Sequence, residues 1–264
     1  MGEDRHRRCA AERSKRRLSK IPGHGATPSG PDNPRFYGRR KGHQLRDGRQ
    51  RLIDEELPRL RMPATPVENL QSLFSGPVSD VWLEIGFGAG EHLIHQAEAN
   101  PHIGFIGAEP FINGVARVLA EAENKSLHNI RIHDHDARLA LGRLPAASIG
   151  RVFLLFSDPW PKTRHHKRRF VNAATLDELA RILKPGGEFR FASDDASFVR
   201  WTLAASLAHA GFSWTAKGPG DWRLRPADAI ATRYETKALT SGRKCVYLRF
   251  QRISDAPVET PKKA

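Results

Sequence analysis

The chain has 264 residues, with 43 Lys and Arg against 29 Asp and Glu, a formal net charge of +14 and a pI of about 10.4. It contains no run of about 18 apolar residues, which speaks against a helical membrane span. Its two cysteines, Cys9 and Cys245, lie too far apart in sequence to suggest a disulfide framework or a cysteine-based metal site, and fit a reducing cytoplasm. A basic surplus of this size suits a polyanionic partner, and clustered Lys and Arg point to nucleic acid.

Residues 1–51 hold about 15 Lys/Arg and about 5 Asp/Glu, so roughly +10 of the surplus lies in the first fifth of the chain. Apolar residues are few there, and Pro22-Gly-His-Gly25 and Ser29-Gly-Pro-Asp-Asn-Pro34 add punctuation. The expectation is a basic, largely disordered arm. The start lacks the apolar stretch of a secretory signal, and Glu3, Asp4 and Glu12 speak against a mitochondrial transit peptide. Arg35-Phe-Tyr-Gly-Arg-Arg-Lys41 interleaves rings and cations in a way that suits contact with a phosphate backbone.

From about Val78 apolar strands alternate with amphipathic helices. The first strand, Val81–Ile85, runs into Gly86-x-Gly-x-Gly90 and a helix ending at Ala99. Such a loop lets a ligand approach the backbone, and the helix behind it offers free N–H groups. Dinucleotides place a pyrophosphate there and usually require a different glycine spacing. Glu84, just before the loop, would repel a phosphate but face the ammonium or sulfonium of S-adenosylmethionine. A second strand, Ile103–Ala108, ends at Glu109, about 20 residues past the loop, a spacing that suits ribose hydroxyls. After a helix over Phe111–Asn124, the third strand, Ile130–Ile132, leads to Asp136, placed to meet an adenine amino group. Gly86, Gly88, Gly90, Glu84, Glu109 and Asp136 therefore read together as an S-adenosylmethionine site.

The fourth strand, Val152–Phe156, leaves through Ser157 and Asp158 into two prolines around Trp160 and a dense basic run ending at Arg169. Ligands of open α/β sheets lie outside the carboxyl ends of the strands. An acid, an aromatic surface and a phosphate-binding patch would thus stand side by side. Trp160 either wedges the loop against the core or stacks on a base. Lys162 either meets a phosphate or the edge of a base or is simply solvated. His165 and His166 are adjacent, a poor metal pair, and no metal is assigned. A helix over Asn172–Leu183 is closed by Lys184-Pro-Gly-Gly187. Glu188–Ala192 is a fifth strand, Phe198–Ala210 a helix and Cys245–Arg252 a last strand. The alternation implies a mostly parallel sheet with helices on both faces, in one catalytic domain over residues 52–252 with a flexible tail at 253–264.

Asp158-Pro-Trp-Pro-Lys-Thr-Arg-His-His-Lys-Arg-Arg-Phe-Val171, with Leu83-Glu-Ile-Gly-Phe-Gly-Ala-Gly90, Gly107-Ala-Glu-Pro-Phe111, Ser193-Asp-Asp195 and Thr232-Arg-Tyr-Glu-Thr-Lys-Ala238, resembles the bacterial tRNA (guanine-N7-)-methyltransferases, the TrmB family. The resemblance covers roughly Arg35 to Arg252, and the arm before it has no counterpart to align. It implies a Rossmann-like class I S-adenosylmethionine-dependent methyltransferase with a seven-stranded sheet, acting on the variable-loop guanine at tRNA position 46. It also implies cofactor contacts from Glu84, Glu109, Asp136 and Asp158, with Asp158 catalytic. Substrate contacts would come from Lys162, Asp194, Thr232, Arg233, Tyr234 and Glu235, and RNA contacts from Arg164, His165, His166, Lys167, Arg168 and Arg169. Guanine N7 has a lone pair and no proton, so Asp158 is expected to stabilise charge and position the base rather than to act as a base. Two rivals are a small-molecule methyltransferase and a non-catalytic RNA-binding protein on the same fold. The sequence leaves monomer and homodimer equally open.

Overall fold

The computed structural model describes residues 37–253. The arm up to Phe36 and the tail from residue 254 lie outside the described residues, as does Cys9. Seven strands form one sheet: β1 (Asp80–Ile85), β2 (Ile103–Ala108), β3 (Ile130–His133), β4 (Ile149–Leu155), β5 (Leu183–Ser193), β6 (Phe212–Trp214) and β7 (Val246–Arg252). Their spatial order is β3-β2-β1-β4-β5-β7-β6. The first five are mutually parallel, and β7 runs antiparallel between β5 and β6. The helices are α1 (Asp47–Glu55), α2 (Leu57–Leu60), α3 (Glu91–Ala99), α4 (Ile112–Asn124), α5 (Ala137–Leu141), α6 (Ala173–Ile182), α7 (Ala196–Ala208), α8 (Gly220–Arg223) and α9 (Arg233–Thr240). None of the described helices is long and apolar enough to cross a membrane.

The strand period of two puts alternate residues into two cores. Val81, Leu83 and Ile85 of β1 and Ile106 of β2 pack with Leu176 and Leu179 of α6 and Phe198 of α7. On the opposite face, Ile103 and Phe105 of β2 pack with Leu93 of α3, Val115 and Leu119 of α4, and Leu52 of α1. Helices therefore cover both faces, as the alternation implied. The 51/52 boundary drawn from composition falls inside α1, whose Leu52 is buried and whose Arg51 pairs with Glu123 of α4 at 3.0 Å.

Three local readings differ from the sequence expectation. Lys184-Pro-Gly-Gly187 does not close a helix: α6 ends at Ile182 and Leu183 is already extended. Leu183 pairs with Ile149 and Glu188 with Arg151, so the Pro-Gly-Gly residues form an irregularity within β5, with Gly186 at φ +77°. Phe156 stands outside β4 at φ +51°. The three-residue β6 has too few positions to show an alternation, and β7 recruits it through the Phe212–Arg252 and Trp214–Phe250 pairs.

Candidate active site

β1 and β4 are neighbours, yet β1 leads outward to β2 and β4 to β5, so the strand order reverses between them. Loops diverge at such a point and leave a crevice at the carboxyl ends. A cleft of about 460 Å³ opens there, and Gly86, Gly88, Glu109, Asp136, Asp158 and Trp160 line it together with Arg168, Arg169, Arg233 and Tyr234. Glu84, Gly90, Lys162, Asp194, Thr232 and Glu235 are not among its walls.

The glycine loop is shaped from two sides. Gly90 is the N-cap of α3 at φ +82°, and a Cβ there would fall 2.1 Å from Cγ2 of Val118, so its role is to seat the loop against α4. Gly114, in the first turn of α4, would place a Cβ 2.0 Å from the carbonyl oxygen of Gly88. Sequence reasoning passed over Gly114, although a glycine inside a helix costs about 1 kcal/mol against alanine and so signals a close approach.

The four predicted acids divide by what holds them. Glu84 is buried and accepts from Nδ1 of His92 at 2.8 Å. Glu109 accepts from the backbone N–H of Gly88 at 2.8 Å and of Phe111 at 2.9 Å, tying the glycine loop to the start of α4. Burial pushes its carboxyl above the usual range, opposed by those two amides and reinforced by the charges of Asp158 and Glu84. Asp136 caps α5 by accepting from the N–H of Arg138, whose guanidinium also donates to it at 3.0 and 2.6 Å. Asp158 is exposed at the cleft and has no hydrogen bond or ion pair among the described residues. Phe156 and Trp160, at φ +51° and +44°, bracket it in a conformation that side chains rarely adopt.

S-adenosylmethionine fits this wall. At Gly86 a Cβ would meet nothing within 4 Å, leaving open space over the backbone. The surrounding carboxylates are acceptors suited to hydroxyl, amino and ammonium donors, and hostile to a pyrophosphate.

The β3–α5 turn carries a proton-linked brace. His133 is buried, and its Nε2–H donates to the carbonyl oxygen of Asp136 at 3.0 Å. Burial, first among the causes, lowers its pKa from the ordinary 6.5 to about 4. Between those values the unfolded chain binds the proton and the folded one does not. Stability is whole above pH 6.5 and is lost as pH falls toward 4, by about 3 kcal/mol at most. Thermal melts should therefore show a smaller loss between pH 7.5 and 5.0 for His133→Gln than for the parent; equal losses would place the acid sensitivity elsewhere.

The remaining candidates separate into outward and inward groups. Lys162, Arg164 and Lys167 stand exposed on or beside a 3-10 turn over Thr163–Arg168. His165 packs edge-on to Trp160, and the cations of Arg168, Arg164, Lys162 and Lys167 assist partial burial in lowering its pKa. His166 turns inward against Trp201 at 5.6 Å. Arg169 is 2% exposed, donating to the carbonyl of Pro159 at 2.8 Å and to Ser197 at 3.0 Å, so it braces the Asp158 loop rather than standing in the outer basic surface. Asp194 is paired with Arg243. Thr232 caps α9, and Glu235 is buried against Arg225 at 3.0 Å and the hydroxyl of Tyr247, which it and burial hold protonated. Glu235 thus latches α9 to β7, leaving Arg233 and Tyr234 to face the cleft.

Residues 79–248 match the Methyltransf_4 family, described as "Putative methyltransferase". The chain is 52% identical over 226 residues to the tRNA (guanine-N(7)-)-methyltransferase of Rhodospirillum rubrum, covering 84% of this chain and 89% of that protein. It is 50% identical over 236 residues to the protein of the same name from Ruegeria sp., covering 86% and 91%. The same name is carried by a Rhizobium meliloti protein, 49% identical over 221 residues, covering 82% and 94%. Among solved structures, the 16S rRNA methyltransferase KamB aligns with a TM-score of 0.50 at 18% identity, over 67% of this chain and 89% of that one. At that identity the likeness speaks to the fold alone.

Proposed function

The chain belongs to the tRNA (guanine-N(7)-)-methyltransferase family, and we propose that it methylates N7 of the variable-loop guanine at tRNA position 46. It is an S-adenosylmethionine-dependent enzyme of Rossmann-like class I fold. The observation that carries the finer reading is the division among the acids. Three are held by the protein's own donors, and Asp158 alone meets the cleft with its lone pairs unengaged among the described residues.

S-adenosylmethionine supplies a methyl group on a positively charged sulfur. Glu109 fixes the glycine loop, and Asp136 is clamped by Arg138, so both arrive at the cofactor already oriented. N7 of guanine attacks with its lone pair, and positive charge builds on the purine as it leaves the sulfur. A carboxylate beside the purine favours that change more than the starting state, which is what lowers a barrier. Asp158, exposed at the cleft, suits this role and can also accept from guanine N1–H and the exocyclic amine, each such charged bond contributing roughly 1.5–3 kcal/mol. Lys162, Arg164 and Lys167 form the outward cationic edge beside it, where a tRNA backbone would lie.

The test is transfer from labelled S-adenosylmethionine to an unmodified tRNA transcript, followed by reduction and aniline cleavage, which cuts at N7-methylguanosine. Label and a single cut at the variable-loop guanine are expected. Label at another atom or another guanine removes this reading, and absence of label in RNA favours a small-molecule substrate or a non-catalytic role.

A further inference from the structure

Residues 37–43 are laced to the start of α4. The N–H of Ile112 donates to the carbonyl of Arg40 at 3.0 Å, the N–H of Gly42 to the Asn113 side chain at 2.8 Å, and that side chain to the carbonyl of His43 at 2.8 Å. This lacing sets Tyr37 on the cleft wall, 6.3 Å from Trp160 with the two rings at 72°. Arg168 occupies the corner they make. Its Cζ lies 4.5 Å from the Tyr37 ring and 4.9 Å from the Trp160 ring. A guanidinium has five N–H donors and normally uses several. This one has no hydrogen bond or ion pair among the described residues, and its Nε is buried without a partner. Two π faces hold it where hydrogen bonds would usually do so.

The corner thus accepts a planar, delocalised cation next to Asp158. Methyl transfer to N7 turns a neutral purine into a planar, delocalised cation. Resting on the function given above, we propose that Tyr37 and Trp160 receive the target guanine, and that Arg168 keeps the corner until the base displaces it. Ring faces attract a cation more than a neutral ring of the same shape. The corner would therefore grip the guanine more tightly as charge arrives, adding to what Asp158 does from its edge. Arg168, displaced and next to exposed Lys167, would then face the RNA backbone. Its return would expel the product, since two cations cannot share the site.

Tyr37→Leu and Trp160→Leu keep apolar bulk and remove the ring face. Each should slow single-turnover methylation by about tenfold or more at saturating tRNA, as loss of one base–aromatic stack does elsewhere. The dissociation constant for S-adenosylmethionine should stay within about twofold, and Tyr37→Phe should recover most of the loss. A second arm needs no turnover. Calorimetric titration with N7-methylguanosine 5′-monophosphate and with unmethylated guanosine monophosphate should favour the methylated nucleotide; Tyr37→Leu should abolish that preference and Arg168→Met should strengthen it. Full single-turnover rates in both leucine variants, equal failure of Tyr37→Phe and Tyr37→Leu, or no preference between the nucleotides overturns the corner. If the parent labels an atom other than guanine N7 while the nucleotide preference survives, the function fails and the corner stands.

Discussion

Asp158→Asn is expected to slow methyl transfer at least about a hundredfold, and up to about a thousandfold, the range found when one preorganised electrostatic contact is removed from a reacting centre. The substitution keeps size and shape, removes the charge and turns one acceptor oxygen into an NH2 donor, so the effect reads the carboxylate's charge together with its pair of acceptors. Neither neighbouring acid can stand in. Both oxygens of Glu109 already accept backbone N–H groups, and Asp136 is clamped by Arg138. Because Asp158 makes no contact that holds its own loop among the described residues, the loop should keep its form. That form comes instead from Arg169 bonded to Pro159 and from the N–H of Phe156 donating to Ala192 at 2.8 Å. The dissociation constant for S-adenosylmethionine should accordingly stay within about threefold, and tRNA affinity should fall far less than the rate, because phosphate contacts away from Asp158 carry most of it. Single-turnover rates beside equilibrium binding decide the matter. A parallel loss of binding and rate would make Asp158 a structural residue, and an unchanged rate would mean that the reaction needs no anion at this edge.

The strand ends and their acids were legible because they rest on local pattern. A run as short as Ile103–Ala108, bounded by turn signals, reads as a buried strand, and the acid behind it then sits at the sheet's carboxyl edge. What holds two of the acids was not legible, since His92 and the Gly88 amide reach Glu84 and Glu109 only through the fold, whereas Arg138 meets Asp136 from two residues away in a local cap. The same limit explains Arg169 and Glu235. Both stand in motifs that read as substrate contacts, yet both are buried and hold the motifs in shape. A sequence shows that a motif matters without showing which members touch the ligand and which brace those that do. Tyr37 was visible only as one ring in a basic stretch, because its meeting with Trp160 depends on the lacing of residues 37–43 onto Asn113.

Gly114→Ala isolates the opposite case, a residue with no functional group whose change should abolish cofactor binding. Its added methyl would sit 2.0 Å from the carbonyl oxygen of Gly88 and 3.0 Å from the carbon of the same group. Both belong to backbone, so the loop must shift by more than an ångström, and the 2.8 Å bond from Gly88 to Glu109 is strained with it. Global stability should hardly register this. Alanine gains about 0.5–1 kcal/mol over glycine in a helix, against about 1–3 kcal/mol for overpacking. The difference amounts to a few degrees in Tm for a domain of this size. Affinity for S-adenosylmethionine should nevertheless fall by about a hundredfold or more, because an ångström of misplacement at a positioned site carries that order of penalty. Gly48→Ala is the control. Gly48 lies in α1, where a Cβ meets nothing within 4 Å, so the same chemical change should raise Tm slightly and leave cofactor binding intact. Titration calorimetry with S-adenosylmethionine and thermal melts on the two variants give the comparison. Normal cofactor affinity in Gly114→Ala would mean that the Gly86–Gly90 loop yields freely, and that its position owes nothing to the close seat of α4 beneath it.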